Sequence, residues 1–267
     1  MRLARALTLL AGLLAAPPAF ACGPASDCML GERSYRIAMP EGADGPVGAI
    51  LHVHGYKGSA DGVMRNRALR GMARDLGVAL IAANAVEGRW SLPNAPGGRG
   101  AGYADELAYF DALVADAAAR FPIDPHRIMV SGFSAGGMVV WNLACDRPEA
   151  FAAYAPVAGT FWAPLPESCE GPAPPMVHVH GTSDEVVPLQ GRPIGDTRQG
   201  EVEGAIALFE RVHGFRVDGV AREGDLICDR WRNAESTDFW LCLHEGGHRL
   251  DPAWLAHAWR TMLRGRG

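Results

Sequence analysis

The segment GFSAG, residues 132–136, places Ser134 between two glycines. Residues 127–130 before it, with the apolar sequence Ile-Met-Val at 128–130, predict a strand, and the apolar residues after it predict a helix. Small neighbours at such a corner let a serine hydroxyl stand exposed, where bulky side chains would clash with the strand and the helix. A glycine-rich turn without chemistry is the alternative. We favour a nucleophile because the motif falls at the change from strand to helix.

An acid should follow this serine along the chain. A serine hydroxyl is a weak nucleophile at neutral pH unless a base removes its proton, and the base needs a group to orient it. When the nucleophile ends a strand in this way, the expected chain order is serine, acid, histidine. Asp184 follows the strand predicted at residues 175–180, in the turn GTSD, and is the favoured acid. Its neighbour Glu185 is the rival.

Four histidines follow Asp184 and could supply the base. His248 comes after two glycines, in a loop between the last predicted strand and the last predicted helix, where its ring could turn towards the serine. His244, which closes that strand, is the rival. His213 and His257 fall inside predicted helices, where a packed or surface position is expected. We therefore favour His248.

Acyl transfer also requires donors for a developing oxyanion. The backbone N–H of Ala135, at the start of the predicted helix, is one candidate. The loop HGYKG, residues 54–58, follows an early strand and offers the N–H of Tyr56 as the second. An ordinary glycine turn is the alternative for that loop.

Two tryptophans follow predicted strands and could line a substrate pocket. Trp90 and Trp162 are these candidates, although core packing is equally compatible with either. We expect no cofactor and no metal, because the strand histidines His52, His178 and His180 lack carboxylates at suitable spacing.

The elements that must position these residues alternate between strands and helices. Strands are predicted at residues 34–39, 48–54, 78–86, 127–130, 152–158, 175–180, 226–232 and 239–244. Helices are predicted at residues 61–76, 105–120, 201–213 and 252–263, and directly after Ser134. This alternation indicates an α/β fold with a mainly parallel sheet and helices on both faces. Ligands bind such sheets beyond the carboxyl ends of the strands, where Ser134 and Asp184 are expected.

The composition suits one globular, exported domain. The chain has 267 residues, of which 48% are hydrophobic, and its net charge of −5 disfavours a nucleic-acid partner.

Residues 1–21 have the pattern of a signal peptide: two arginines, the apolar residues 7–16 and a small-residue cleavage site. The apolar segment is too short for a membrane span. Residues 22–267 would form a single catalytic domain that is secreted or periplasmic. Cys22 at the new terminus raises lipid anchoring as an alternative, disfavoured by Ala19 where an aliphatic residue is required.

Six cysteines follow the predicted cleavage site. An even number in an exported chain predicts disulfides, although sequence alone allows many pairings. Pairing each cysteine with its neighbour along the chain would give Cys22–Cys28, Cys145–Cys169 and Cys228–Cys242. The last pair is the most attractive, because it would join two adjacent strands. A zinc site is the rival, but no paired Cys-x-x-Cys motif is present.

Several segments together resemble the polyhydroxybutyrate depolymerase and feruloyl esterase group of exported α/β-hydrolases. They are GERSYRIAMP, LHVHGYKGS, FPIDPHRIMVSGFSAGGM, HVHGTSDEVVP and GGHRLDP, and they extend from Cys28 to about Trp254. The resemblance implies the α/β-hydrolase fold and places nucleophile, acid and base on Ser134, Asp184 and His248. It also implies hydrolysis of carboxylic esters in polyesters, feruloylated or acetylated polysaccharides, or small molecules.

Two features differ from polymer-degrading relatives. No polymer-binding domain is expected after the hydrolase, and no lid domain, because only residues 161–174 separate one strand from the strand leading to Asp184. These features favour a soluble ester over an insoluble polymer, and we expect a monomer. The alternatives are a serine peptidase, a noncatalytic binding protein on the same fold, and a disulfide-bonded surface module. The last does not explain the serine between two glycines.

Overall fold

The computed structural model describes residues 22–97 and 102–263, so the predicted signal peptide lies outside the described residues. The strands are β1 (Cys28–Leu30), β2 (Arg33–Ala38), β3 (Val47–Val53), β4 (Ala79–Ala83), β5 (Ile123–Phe133), β6 (Ala153–Val157), β7 (Trp162–Ala163), β8 (Met176–Gly181), β9 (Pro193–Ile194), β10 (Thr197–Gln199), β11 (Arg216–Glu223), β12 (Leu226–Arg232) and β13 (Asp238–His244). The helices are α1 (Ala60–Arg65), α2 (Arg67–Leu76), α3 (Tyr103–Arg120), α4 (Ala135–Asp146), α5 (Val202–His213) and α6 (Pro252–Leu263).

Ten strands form one sheet in the order β1-β2-β4-β3-β5-β6-β8-β13-β12-β11. The central strands, from β4 to β13, pair in parallel. The two edges, β1-β2 and β12-β11, are antiparallel. This mixed, mainly parallel sheet with helices confirms the predicted fold class. Its parallel centre brings the carboxyl ends of β3, β5, β6 and β8 to one edge, where the site is expected.

The central strands are apolar throughout because both faces of the sheet are covered. Ile50 and Leu51, successive residues of β3, belong to two separate hydrophobic clusters on opposite faces. Helix α4 is buried from Gly136 to Cys145, and its Trp141 is fully enclosed. The serine corner is therefore anchored to a helix that is buried over nearly all of its length.

Three local features differ from the sequence-based expectation. The helix predicted at residues 61–76 is broken at Asn66, whose side chain accepts hydrogen bonds from the N–H groups of Ala68 and Leu69 and caps α2. The two edge strands of the large sheet, β1 and β11, were not predicted. A separate small sheet, in the order β7-β10-β9, was not predicted either.

Disulfides join Cys22 to Cys28, Cys145 to Cys169 and Cys228 to Cys242, which confirms the neighbour pairing. The last bond crosses directly paired residues of β12 and β13. His257 lies near that pair, but both sulfur atoms are in the disulfide, so they offer no thiolate to a metal.

No helix within residues 22–97 and 102–263 is both long enough and apolar enough to cross a membrane.

Candidate active site

Ser134 sits at a strained corner between β5 and α4. Its backbone has φ 58° and ψ −121°, a region that non-glycine residues rarely adopt. Two hydrogen bonds hold the corner: Ser134 N–H donates to the Val157 carbonyl at 2.9 Å, and Met138 N–H donates to the Ser134 carbonyl at 3.0 Å. Strain of this kind persists only where surrounding structure enforces it, and it is frequent at functional sites.

The two glycines of the GFSAG segment are required by close backbone approach. A Cβ on Gly132 would lie 2.2 Å from the Gly136 carbonyl oxygen. A Cβ on Gly136 would lie 2.0 Å from the Val53 carbonyl oxygen. At these two positions, β5, α4 and β3 therefore pack so closely that there is room for the hydrogen of a glycine but not for a Cβ. This is the physical reason for the small residues around Ser134.

Asp184 and His248 are directly hydrogen bonded. His248 Nδ1 lies 2.7 Å from Asp184 Oδ2, and the Asp184 side chain is fully buried. The other carboxylate oxygen, Oδ1, accepts from the N–H groups of Val186 at 2.9 Å and Val187 at 2.8 Å. The carboxylate is thus fixed on both oxygens, and it orients the imidazole through Nδ1.

The two loops that carry this pair are tied together. Thr182 N–H donates to the His244 carbonyl, and Ser183 N–H donates to the Gly246 carbonyl. Behind Asp184, the rings of His178 and His180 contact each other at 3.0 Å, and His180 Nε2 donates to the Val187 carbonyl. Burial lowers the pKa of both rings. The acid and base therefore come from a well-supported turn, although they are far apart in sequence.

His248 also lies beside the serine corner. Its ring packs on Phe133, the residue before Ser134, with 4.7 Å between ring centroids. Within the described residues, Ser134 Oγ makes no hydrogen bond to His248. Hydrogen bonds between a nucleophile and its base are often long without substrate and tighten when it binds.

The rival residues are placed elsewhere. His244 is buried and stacked on Trp254, with 4.4 Å between centroids, and has no hydrogen bond to Asp184. Glu185 is exposed to solvent. His257, which belongs to α6, lies near Trp240, and His213 contacts Phe209. In the described structure, the acid and base joined by a hydrogen bond are Asp184 and His248, the two residues that the sequence favoured.

The loop after β3 approaches the serine closely. A Cβ on Gly55 would lie 3.4 Å from the Ser134 Cβ, so the following Tyr56 N–H is near the corner. Neither Tyr56 N–H nor Ala135 N–H donates to an acceptor among the residues that the structure describes. Two unpaired backbone donors thus lie beside Ser134, where an oxyanion could be held.

His54 fixes this loop as a neutral ring. Its Nδ1 lies 2.8 Å from the Gly55 carbonyl oxygen, and its Nε2 accepts from Ala85 N–H at 3.2 Å. These contacts require the proton on Nδ1, and burial lowers the pKa of the ring. The His54 carbonyl also accepts from Trp90 Nε1. His54 is a structural residue that positions both Tyr56 and Trp90.

Acidification should destabilise the fold through His52, which is buried in β3. Burial, and secondarily the neighbouring His54, lowers its pKa from 6.5 to about 4. The unfolded chain therefore binds this proton first as pH falls below about 6.5, and stability is lost down to about pH 4. By linkage, His52 alone should cost about 2 kcal/mol of unfolding free energy between pH 7 and pH 5. Chemical denaturation at the two pH values should show a smaller loss in His52→Gln; an unchanged loss would contradict the assignment.

A cavity of about 420 Å³ opens at Ser134. Ser134 and Ala135 line it together with Tyr56, Trp90 and Trp162. Both predicted pocket tryptophans therefore border the same space as the serine. Trp90 is also packed against Phe110 and is 7% exposed, so it serves core and pocket together.

The cavity includes residues that the sequence did not point to. They are the apolar Leu92, Ala95, Pro96, Met138, Val186, Val187 and Ile194 and the polar Arg89, Arg192 and Gln199. Arg192 directly precedes β9 of the small sheet and Gln199 ends β10, and these two- and three-residue strands carry no recognisable periodicity. No local sequence pattern could have assigned them to the pocket.

Comparisons with known proteins find sequence similarity to esterases. Residues 93–194, which contain Ser134 and Asp184, match the Phospholipase/Carboxylesterase family model. A protein of Nocardia uniformis subsp. tsuyamanensis named "Putative esterase NocK" is 31% identical over 166 residues, covering 60% of this chain and 47% of that protein. Feruloyl esterase C of Emericella nidulans is 27% identical over 168 residues, covering 60% of this chain and 57% of that protein. The matches thus span about half the length of each relative.

Solved structures share the fold. Esterase PE8 superposes with a TM-score of 0.61 at 21% identity, covering 87% of this chain and all of that one. The acetyl xylan esterase from Aspergillus awamori superposes with a TM-score of 0.59 at 14% identity, covering 87% of this chain and 93% of the other. At these identities the structural likeness establishes the fold. The chain therefore has the α/β-hydrolase fold, and over part of its length its sequence is similar to those of proteins named as esterases.

Proposed function

We propose that this protein is a secreted serine esterase that hydrolyses carboxylic esters through an acyl-enzyme. The observation that carries the proposal is the hydrogen bond between Asp184 Oδ2 and His248 Nδ1, beside a serine corner that opens into a cavity. Ser134 is the nucleophile, His248 the base, and Asp184 the group that orients the imidazole.

The first half of the reaction forms the acyl-enzyme. Ser134 Oγ attacks the ester carbonyl carbon, and His248 Nε2 accepts the hydroxyl proton. The carbonyl oxygen becomes an oxyanion, which accepts hydrogen bonds from the N–H groups of Tyr56 and Ala135. Collapse of this intermediate breaks the ester C–O bond, and His248 returns its proton to the leaving alcohol.

The second half releases the acid. Water attacks the acyl carbon while His248 accepts a water proton, and the same two N–H groups hold the second oxyanion. Collapse breaks the bond to Ser134 Oγ, which recovers a proton from His248. The resting enzyme is regenerated without a cofactor.

The pocket supports esters with a flat or compact acid portion. Trp90 and Trp162 present aromatic surface beside the serine, and relatives are named as feruloyl and acetylxylan esterases. We therefore propose feruloyl, acetyl-polysaccharide or short hydroxyalkanoate esters as the substrate class. Polyester depolymerisation is a second candidate, because Tyr56 and Val186 at the cavity are exposed apolar side chains that a polymer could contact.

Three disulfides support an exported location, because such bonds persist in oxidising compartments. Cys22 Sγ is bonded to Cys28, so this sulfur is not free for the thioether of a lipid anchor. We therefore favour secretion over lipidation, and expect a monomer.

A substrate panel tests the proposed function. Purified protein is incubated with 4-nitrophenyl acetate, methyl ferulate, acetylxylan, hydroxybutyrate oligomers and a set of peptide amides. Hydrolysis of one or more ester classes with no cleavage of peptides is expected. Peptide cleavage without ester hydrolysis would replace the proposal by a serine peptidase, and hydrolysis of nothing would favour a noncatalytic binding protein.

A further inference from the structure

The cavity at Ser134 carries positive charge without a compensating carboxylate. Arg89 and Arg192 line it, and none of the lining residues is aspartate or glutamate. Among the described residues, neither arginine forms an ion pair. By contrast, Arg36 and Arg232 each lie within ion-pair distance of two carboxylates. The unneutralised charge is notable in a chain whose net charge is −5.

Arg192 is held in place with its charged end free. Its Nε donates to the Val186 carbonyl at 2.8 Å, and it is half-buried. Its two terminal nitrogens make no hydrogen bond to a described residue. A guanidinium fixed through Nε still presents paired N–H donors, the geometry that binds a carboxylate in two places.

The small sheet places Arg192 next to further recognition groups. Gln199 N–H donates to the Arg192 carbonyl at 2.9 Å, and Gln199 pairs with Trp162 across β10 and β7. These three residues border the cavity as one unit. The side of the pocket that they form is built from secondary structure, so its geometry is defined before a ligand arrives.

Gln199 adds an unsatisfied acceptor to this unit. The residue is 5% exposed, and its buried Oε1 has no hydrogen-bond partner among the described residues. Buried polar atoms are rarely left unpaired, and this acceptor belongs to a residue that lines the cavity, so a donor on a bound ligand could satisfy it. An ionised carboxylate for Arg192 and a neighbouring hydroxyl for Gln199 would satisfy both.

We propose that the cavity selects esters that carry an ionised carboxylate in addition to the ester group. Arg192 binds this carboxylate beside Trp162 and Gln199. The inference rests on the proposed esterase function and specifies its substrate. Arg89, which is exposed and 5.6 Å from the Tyr56 ring, adds to the attraction at the entrance. Arg192 is therefore a specificity-determining residue, distinct from the groups that act on the ester bond.

Matched ester pairs test this proposal. Mono(4-nitrophenyl) adipate is compared with its methyl ester, and 4-acetoxybenzoate with methyl 4-acetoxybenzoate, so that the extra carboxylate lies on the acid or on the alcohol side. The readout is the ratio of kcat/KM for the anionic ester to that for the neutral one. In at least one pair the wild type should favour the anionic ester about tenfold or more, and Arg192→Gln should lower that ratio by about 10- to 100-fold.

Arg70→Gln is the matched control, because Arg70 is an exposed α2 arginine outside the cavity. It should leave the ratio unchanged. A wild-type preference for neutral esters in both pairs, or equal loss of the ratio in both arginine variants, would overturn the proposal while ester hydrolysis stands. No hydrolysis of any of the four esters would instead overturn the esterase function itself.

Discussion

Ser134→Ala is expected to lower kcat for 4-nitrophenyl acetate by at least about 10⁴-fold, because the acyl-enzyme cannot form without the nucleophile. The variant should remain folded. The serine hydroxyl makes no hydrogen bond within the described residues, and the backbone bonds that hold the corner, from Ser134 N–H and from Met138 N–H, do not involve it. Alanine at φ 58° meets the same backbone strain as serine.

The measurement is a steady-state assay with circular dichroism and thermal melting on the same samples. Ser168→Ala is a suitable control, because Ser168 is exposed and does not line the cavity. It should retain wild-type activity. More than about a tenth of wild-type activity in folded Ser134→Ala would exclude Ser134 as nucleophile.

Gly136→Ala is expected to cost about 4 kcal/mol or more of unfolding free energy, or to prevent folding. The added Cβ would lie 2.0 Å from the Val53 carbonyl oxygen and 2.8 Å from that of His54. Both are backbone atoms at the end of β3, so relief requires α4 to move away from the sheet. Such a shift would also displace Ser134 from its position beside the cavity.

Gly71→Ala is the matched control, since Gly71 lies within α2 and an added Cβ would meet only an arginine side chain, at 3.9 Å. Replacing a helix-interior glycine by alanine should stabilise the protein by about 0.5–1 kcal/mol. Denaturant unfolding monitored by fluorescence gives both values. A Gly136→Ala variant as stable as wild type would show that α4 does not pack this closely against the end of β3.

The succession of strands and helices along the chain and the candidate site residues could be predicted from the sequence, because both depend on local patterns. Continuous apolar runs between turn residues marked the parallel strands that are covered on both faces. Ser134 and Asp184 could be found because each follows such a strand, and the carboxyl ends of parallel strands share one edge. His248 could be distinguished from His244 because Gly246 and Gly247 place His248 in a loop, whereas His244 ends a strand.

The remaining features depend on contacts between distant segments. Asn66 divides a helical pattern by a side-chain cap, which competes locally with continued helix. The small sheet has strands of two or three residues, too short for periodicity, and only the folded chain brings Arg192 and Gln199 to Trp162. Strand β11 is an exposed edge with Val217 and Val220 facing solvent, so it lacks an inward-facing apolar pattern.

Active-site labelling with a fluorophosphonate, followed by peptide mass spectrometry, tests the central claim most directly. The reagent forms a stable adduct with a serine only where a base activates it. One adduct is expected, on the peptide containing Ser134, and it should be absent from heat-denatured protein and from Ser134→Ala. His248→Gln, which keeps the serine but removes the base, should lower the labelling rate by at least about 10²-fold. No adduct in the folded protein, or an adduct that persists in Ser134→Ala, would contradict the assignment of Ser134 as the activated nucleophile.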